Sequence, residues 1–240
     1  MKKLFSFLLL FAGIAATAQQ KNEYNDPNAK TRIISGEFTK ISVSSGVELY
    51  LTQGNETALA VSVSDSKYEE RFKTEVVNGV LKIYYDNKGL TWANDKNRKL
   101  KAWLSFKELQ KLTGSAGARV ITTNDLSAGD FEMYFSSGSA FKGKLQVKSL
   151  LADVDSGAEV DAAGTAVKLT VSASSGAIFK AFDLVSEFCT ASANSGGAIR
   201  IQVQKEITGS ANSGGDIKYK GNATLIKGKI NSGGSVKQSR

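Results

Sequence analysis

Apolar and polar residues alternate along most of this chain, and from residue 117 onward the alternation returns at a nearly fixed interval. A short motif that ends in glycine marks each return. Numbered along the sequence, the steps from each of these glycines to the next, from Gly117 to Gly233, are 21, 19, 19, 20, 18 and 19. Six such steps in succession indicate an internal repeat, which constrains the fold more strongly than any single element does. The motif glycines are Gly46, Gly117, Gly138, Gly157, Gly176, Gly196, Gly214 and Gly233.

The third residue after each motif glycine is apolar, and the fourth is charged in the last six copies. This alternation is typical of a strand that buries one face. A repeat of about 19 residues is shorter than helical-hairpin repeats. It suits a coil of two or three short strands that stacks on the next coil at about 4.8 Å. The apolar residues predicted to fill the solenoid interior are Leu49, Val120, Phe141, Val160, Phe179, Ile199, Ile217 and Val236.

The glycine motif itself predicts a turn in every coil. Glycine is favoured where the backbone needs a positive φ or where neighbouring backbones approach closely. In the last three copies the motif is Asn-Ser-Gly-Gly, which places Asn194, Asn212 and Asn231 in one register. We expect these side chains to stack and to hydrogen-bond along the solenoid, as asparagine ladders do.

The N-terminal half carries the same motif once, within two strands predicted between Arg32 and Thr52. The strongest local signal is Asn78-Gly79 between two apolar runs, which predicts a β-hairpin over residues 74–85 with a type I′ turn. The other predicted elements are a strand at 59–63, a short helical turn at 66–72, a polar loop at 86–98 containing Trp92, and a strand at 100–106.

The start of the chain, residues 1–18, predicts a secretory signal peptide. Lys2 and Lys3 precede an apolar run from Leu4 to Ile14, and Ala16-Thr17-Ala18 resembles a cleavage site. We therefore expect an exported protein in the periplasm, at the cell surface or outside the cell. This apolar run is too short to span a bilayer, and the sequence has no other long apolar segment. Residues 19–31 are predicted to be a flexible lead-in, and residues 32–240 a single domain.

Composition narrows the chemistry. The chain has no histidine and one cysteine, Cys189, so an internal disulfide is impossible and transition-metal sites are disfavoured. We expect no cofactor and no metal. The formal net charge is +8, which suits contact with anionic surfaces as well as solubility. An exported chain without a recognition motif is not expected to bind nucleic acid.

Several segments resemble, in order and spacing, the bacterial family described as putative auto-transporter adhesin, head GIN domain. The resemblance covers roughly residues 32–237. It implies an all-β fold, a right-handed parallel β-helix, in a secreted or envelope protein. It implies no activity, cofactor or binding residue. The segments that carry it are Phe38–Val47, Val80–Ile83, Leu109–Gly117 and Lys229–Val236.

The fourth position after the glycine supplies a candidate ligand surface. Stacked coils would align its cations along one face, with Asp161 as the single interruption. Such a file of cations is suited to an anionic glycan or lipopolysaccharide, and the alternative is a solvated edge with carboxylates nearby. The proposed ligand-binding residues are Lys142, Lys180, Arg200, Lys218 and Lys237.

Two other functions remain open. A polysaccharide lyase or hydrolase would need converging carboxylates, and the only dense group is Asp153, Asp155, Glu159 and Asp161. Because these residues are better explained as solvated or turn-capping groups, we expect a protein that is not an enzyme. A structural role is the second alternative, since the unpaired end of a solenoid is suited to forming a homo-oligomer.

Overall fold

The computed structural model describes residues 26–89 and 97–239, without the side chain of residue 227. These residues form a β-solenoid of about seven turns with about 19 residues between turns, which confirms the predicted fold class. The predicted signal peptide and the Trp92 part of the polar loop lie outside the described residues.

Seventeen strands pair into one continuous sheet within the described part of the chain. A short 3-10 helix, Ser66–Tyr68, lies where the sequence predicts a helical turn. In chain order the strands are β1 (Lys30–Arg32), β2 (Lys40–Val43), β3 (Val47–Gln53), β4 (Ala58–Val63), β5 (Phe72–Val77), β6 (Val80–Tyr85), β7 (Leu100–Phe106), β8 (Lys111–Gly114), β9 (Arg119–Thr122), β10 (Leu126–Phe135), β11 (Ala140–Val154), β12 (Glu159–Ala173), β13 (Ile178–Ala193), β14 (Ala198–Ala211), β15 (Asp216–Lys220), β16 (Thr224–Ile230) and β17 (Ser235–Gln238).

The C-terminal part is a ladder of parallel strands. Each of the long strands β11 to β13 pairs along most of its length with the next one. The first half of β14 then pairs with β15 and its second half with β16. Each coil therefore has two main faces, one built from the halves that follow the turn and one from the halves that precede the next turn.

The predicted apolar file stacks in register through eight layers. Phe141 lies opposite Val160, Val160 opposite Phe179, and Phe179 opposite Ile199. The remaining layers, Leu49, Val120, Ile217 and Val236, continue the same file. The first seven members are at most 1% exposed, and Val236 in the last described coil is partly buried. The solenoid interior is therefore where the sequence predicts it.

Each glycine motif forms a tight turn in which two successive residues have positive φ. In the fifth turn φ is 51° at Ser175 and 74° at Gly176, and the backbone N–H of Ala177 donates to the carbonyl of Ser174 at 2.9 Å. Two positive φ values define the type I′ class. The Gly176 N–H also donates to the Ser195 carbonyl of the next coil at 3.1 Å, so the turns themselves form a ladder.

The second glycine of the Asn-Ser-Gly-Gly turns has a different role. An added Cβ at Gly197 would overlap the Ala173 carbonyl oxygen, because the backbones of two coils meet there. In the same turns the Asn212 Nδ2 donates to Asn194 Oδ1 at 3.2 Å, which confirms the expected contact for this pair. Two coils earlier in the same column, the Ser174 hydroxyl donates to Asp155 at 2.7 Å.

The N-terminal coils stack out of chain order. β2 lies between β6 and β8, and β3 lies between β7 and β9. The predicted hairpin is present as β5 and β6, joined by Asn78 and Gly79 with φ of 53° and 72°. Antiparallel pairing of β1 with β4 and of β4 with β7 completes this end. Lys30 and Thr31, at the end of the predicted lead-in, lie in β1.

Candidate functional site

The five predicted ligand-binding cations lie in one register on the outside of the solenoid. Lys142 lies opposite Asp161, which lies opposite Lys180. The file continues through Arg200, Lys218 and Lys237. Because each strand alternates its faces, the residue just before each of these positions points into the core and holds the cation outward. We call these five cations with Asp161 the basic file.

Carboxylates engage the first three cations of the basic file. Lys142 Nζ lies 3.9 Å from Asp161 Oδ2, and Lys180 Nζ lies 2.6 Å from Glu159 Oε1. The hydrogen bond from Lys180 to Glu159 raises the pKa of Lys180 above its usual value. The sequence alternative of a solvated edge with carboxylates nearby therefore describes this part of the file.

Arg200 makes the most constrained contact of the file. One of its terminal nitrogens, Nη2, lies 2.7 Å from Asp216 Oδ2. The other, Nη1, donates to the backbone carbonyls of Ile199 at 2.9 Å and Asp216 at 3.2 Å. With this many partners the guanidinium is held against the sheet, and only its remaining N–H groups face solvent.

The last two cations of the basic file differ from the others. Lys218 and Lys237 are exposed, and neither forms an ion pair with any residue that the structure describes. Asp216 is the last acidic residue of the given sequence, and its carboxylate already pairs with Arg200. The six cations beyond Asp216 are Lys218, Lys220, Lys227, Lys229, Lys237 and Arg240.

The four carboxylates considered for catalysis do not form one site. Asp155 lies in a turn, where hydrogen bonds from Ser174 and from the two serines Ser175 and Ser156 lower its pKa to about 2. Glu159 and Asp161 pair with cations of the basic file. Asp153 lies on the opposite face, in the half of β11 that precedes the turn. Over residues 26–89 and 97–239, no group of acidic or thiol side chains is placed to hold a metal ion.

Sequence reasoning located the basic file but missed the partners of two of its cations. Glu159 and Asp216 occupy the second position after the motif glycine, two residues before the file position on the same strand. Residues i and i+2 share a strand face and are close enough for long side chains to meet across neighbouring coils. Comparing the residues two and four places after each motif glycine would have predicted the ion pairs of Lys180 with Glu159 and of Arg200 with Asp216.

Comparison with protein families gives a match over most of the chain. The model of the family described as putative auto-transporter adhesin, head GIN domain, matches residues 37–223. The chain belongs to this family. Comparison with curated proteins finds no significant match.

Solved structures with the same fold include proteins from bacteria of the genera Bacteroides and Parabacteroides. A putative adhesin from Bacteroides fragilis is 20% identical with a TM-score of 0.75, over 86% of this chain and 94% of that one. A putative adhesin from Parabacteroides merdae is 15% identical with a TM-score of 0.69, over 90% and 98%. A putative lipid binding protein from Parabacteroides distasonis is 21% identical with a TM-score of 0.64, also over 90% and 98%. At these identities the likeness shows the fold alone.

The described residues contain no helix that is long and apolar enough to cross a membrane. The adhesin-like family is in keeping with an exported or surface protein.

Proposed function

We propose that this chain is an exported, non-enzymatic interaction protein of the cell envelope that binds an anionic saccharide along the basic file. The saccharide is either an acidic glycan or the sugar part of lipopolysaccharide. The observation that carries the proposal is the pair Lys218 and Lys237, which are stacked in register, exposed, and without an ion-pair partner among the described residues.

The spacing of this pair suits a repeating anion. Two in-register strands are about 4.8 Å apart, so two unpaired ammonium groups held at that distance repel each other. An anion that bridges both removes this repulsion. Membership in an adhesin-like family and the predicted signal peptide both support contact with material outside the cytoplasm.

A charge-reversal experiment tests the proposal. The variant Lys218→Glu/Lys237→Glu is compared with Lys99→Glu/Lys148→Glu, which changes two exposed lysines elsewhere and alters the net charge equally. The probes are polygalacturonate and purified lipopolysaccharide, measured by isothermal titration calorimetry at two salt concentrations. At about 1 kcal/mol for each cation near an anionic surface, we expect the first variant to lose at least tenfold in affinity.

The outcomes separate the basic file from net charge. Retained binding in the control with lost binding in the Lys218/Lys237 variant supports the file. Equal losses in both variants indicate a general charge effect and overturn the proposal, as does a wild-type protein that binds neither probe. Reversal at Lys180 alone should have a smaller effect on binding, because Glu159 already neutralises that side chain.

One observation favours a second candidate, self-assembly through the C-terminal end of the solenoid. In the last described coil Ile226 and Ile230 are 47% and 36% exposed, and the outer edges of β16 and β17 have no strand paired with them among the described residues. Two such ends would bring like charges together. Association should therefore strengthen as salt rises, and a mass by light scattering that stays monomeric at all salt concentrations would rule it out.

A further inference from the structure

A second regular surface lies on the other main face of the solenoid. Thr170, Thr190 and Thr208 lie opposite one another in three successive coils. Two residues further along each strand, a second column is formed by Ser172, Ser192 and Ser210. Coils repeat at about 4.8 Å and alternate residues of a strand lie about 6.6 Å apart, so six hydroxyl groups form a regular two-column array. We call these six residues the hydroxyl array.

Most of these hydroxyl groups have no protein partner. Ser192 Oγ accepts a hydrogen bond from Asn194 Nδ2 at 3.2 Å. The other five side chains make no hydrogen bond to any residue that the structure describes. Thr190 is exposed and the rest are half-buried. A hydroxyl can donate and accept, so the array offers repeated hydrogen-bonding sites to a ligand.

An exposed aromatic ring adjoins the hydroxyl array. Phe188 precedes Thr190 by two residues on the same face, and its side chain is 43% exposed. In its own column it lies between Lys168 and Glu206. These three residues, together with Thr190 and Thr208, line a shallow cavity of about 340 Å³. That volume is at the lower end of the range for small-molecule sites.

We propose that this face binds a neutral glycan, with the sugar chain running along the solenoid axis and one sugar unit over each coil. The hydroxyl array would exchange hydrogen bonds with sugar hydroxyls, and the Phe188 ring would pack against the apolar face of one sugar ring. The advance of an extended glycan per sugar is similar to the spacing of the coils. Lys168 and Glu206 cancel in charge. Lys205, whose ammonium lies 5.3 Å from the Phe188 ring centre, is paired with Glu187 at 2.6 Å. The site therefore favours neutral sugars over anionic ones.

The neighbouring coils set the length of the site. Before Thr170 the column holds Leu151, and after Thr208 it holds Ile226. The array is thus limited to three coils and should accommodate about three sugar units. It is separate from the basic file, because it lies on the half of β14 that pairs with β16, whereas the file lies on the half that pairs with β15.

The test measures binding of uncharged oligosaccharides to the purified protein by isothermal titration calorimetry. The probes are the cello-, xylo-, manno- and laminari-series from the disaccharide to the hexasaccharide. We expect one series to bind with an affinity that rises up to the trisaccharide and then levels off. Phe188→Ala should lower that affinity about five- to tenfold, as expected for the loss of one aromatic contact.

Matched variants distinguish the hydroxyl array from general effects on the strand. Thr170→Val/Thr190→Val/Thr208→Val removes three hydroxyls while keeping β-branched side chains, and it should abolish measurable binding. Thr165→Val changes an exposed threonine of β12 outside the array and should bind as the wild type does. Circular dichroism of each variant serves as the control for correct folding.

Three results would overturn the inference: no binding of any probe by the wild type, unchanged binding by the triple variant, or an affinity that keeps rising to the hexasaccharide. The Lys218→Glu/Lys237→Glu variant should bind the neutral probe normally. Failure of the anionic-saccharide proposal and failure of this one are therefore distinguishable.

Discussion

Two phenylalanines on one strand give the sharpest test of the solenoid. Phe179 and Phe188 both lie in β13, and the same substitution to alanine can be made at each. Phe179 belongs to the interior file and is 0% exposed, whereas Phe188 faces outward and is 43% exposed. The chemical change is identical in the two variants, so any difference in stability reports burial.

The structure gives very different magnitudes for the two changes. Phe179 stacks between Val160 and Ile199 in the middle of the ladder, where neither neighbour can move to fill the space. Truncation of a fully buried phenylalanine costs about 3–5 kcal/mol. Truncation of Phe188 removes part of its apolar contact and the contact of its ring with the Lys205 ammonium, which lies 5.3 Å from the ring centre. We therefore expect the free energy of unfolding to fall by about 1 kcal/mol.

Urea unfolding followed by far-UV circular dichroism measures both variants against the wild type. We expect Phe179→Ala to lower the free energy of unfolding by several times as much as Phe188→Ala does. Equal losses, or a larger loss at Phe188, would show that the two side chains are not on opposite faces of the sheet. Such a result would refute the stacked register on which both proposed surfaces rest.

Three further predictions concern the turns, the thiol and the acid limit of stability. Gly214→Ala should lower the free energy of unfolding by about 1–2 kcal/mol through the positive φ alone, since no atom lies within 4 Å of the added Cβ. Gly215→Ala should lower it further in the same urea assay, because the added Cβ would overlap the Ala193 carbonyl oxygen. Burial raises the pKa of Cys189 to about 12, so labelling of this thiol by a thiol reagent at pH 8 should proceed only at the rate of unfolding. Because the unfolded thiol ionises at lower pH, the wild type should lose stability relative to Cys189→Ala as pH rises from about 9 to 12. The hydrogen bond from Ser174 lowers the pKa of Asp155 to about 2, so the Asp155 carboxylate stabilises the fold above about pH 4 and this stabilisation is lost towards pH 2. Thermal melts of Asp155→Asn should not show that loss.

The C-terminal ladder was predictable because its information is local and repeated. The nearly constant step between motif glycines fixes the register, and the apolar third position then fixes which face is buried. The turn class was only half predicted. The sequence indicated a positive φ at glycine, but the structure adds a positive φ at the residue before it, which is serine in seven of the eight turns and alanine at Ala116. Serine rarely takes this conformation, so composition did not signal it.

The N-terminal stacking order was not predictable from the same signals. The interval between Gly46 and Gly117 is several times the regular step, and β4 to β7 are inserted within it. Placing β2 between β6 and β8 depends on which distant strand pairs with which. Periodicity identifies a strand and its buried face but not its partner, so the Asn78-Gly79 hairpin is the one strand pairing predicted in this region.

The two candidate surfaces follow from one property of a solenoid. Each coil contributes one residue to each outer column, so a column becomes a binding surface only where several successive coils leave that residue without a partner. The basic file meets this condition at Lys218 and Lys237, and the hydroxyl array meets it over three coils. Binding on either face should therefore scale with the number of unpartnered coils rather than with the length of the solenoid. The variant Ser235→Asp tests this reasoning. Its new carboxylate would lie one coil after Lys218, as Asp216 lies one coil after Arg200, and would pair with Lys218. Binding of an anion should therefore weaken although no cation has been removed.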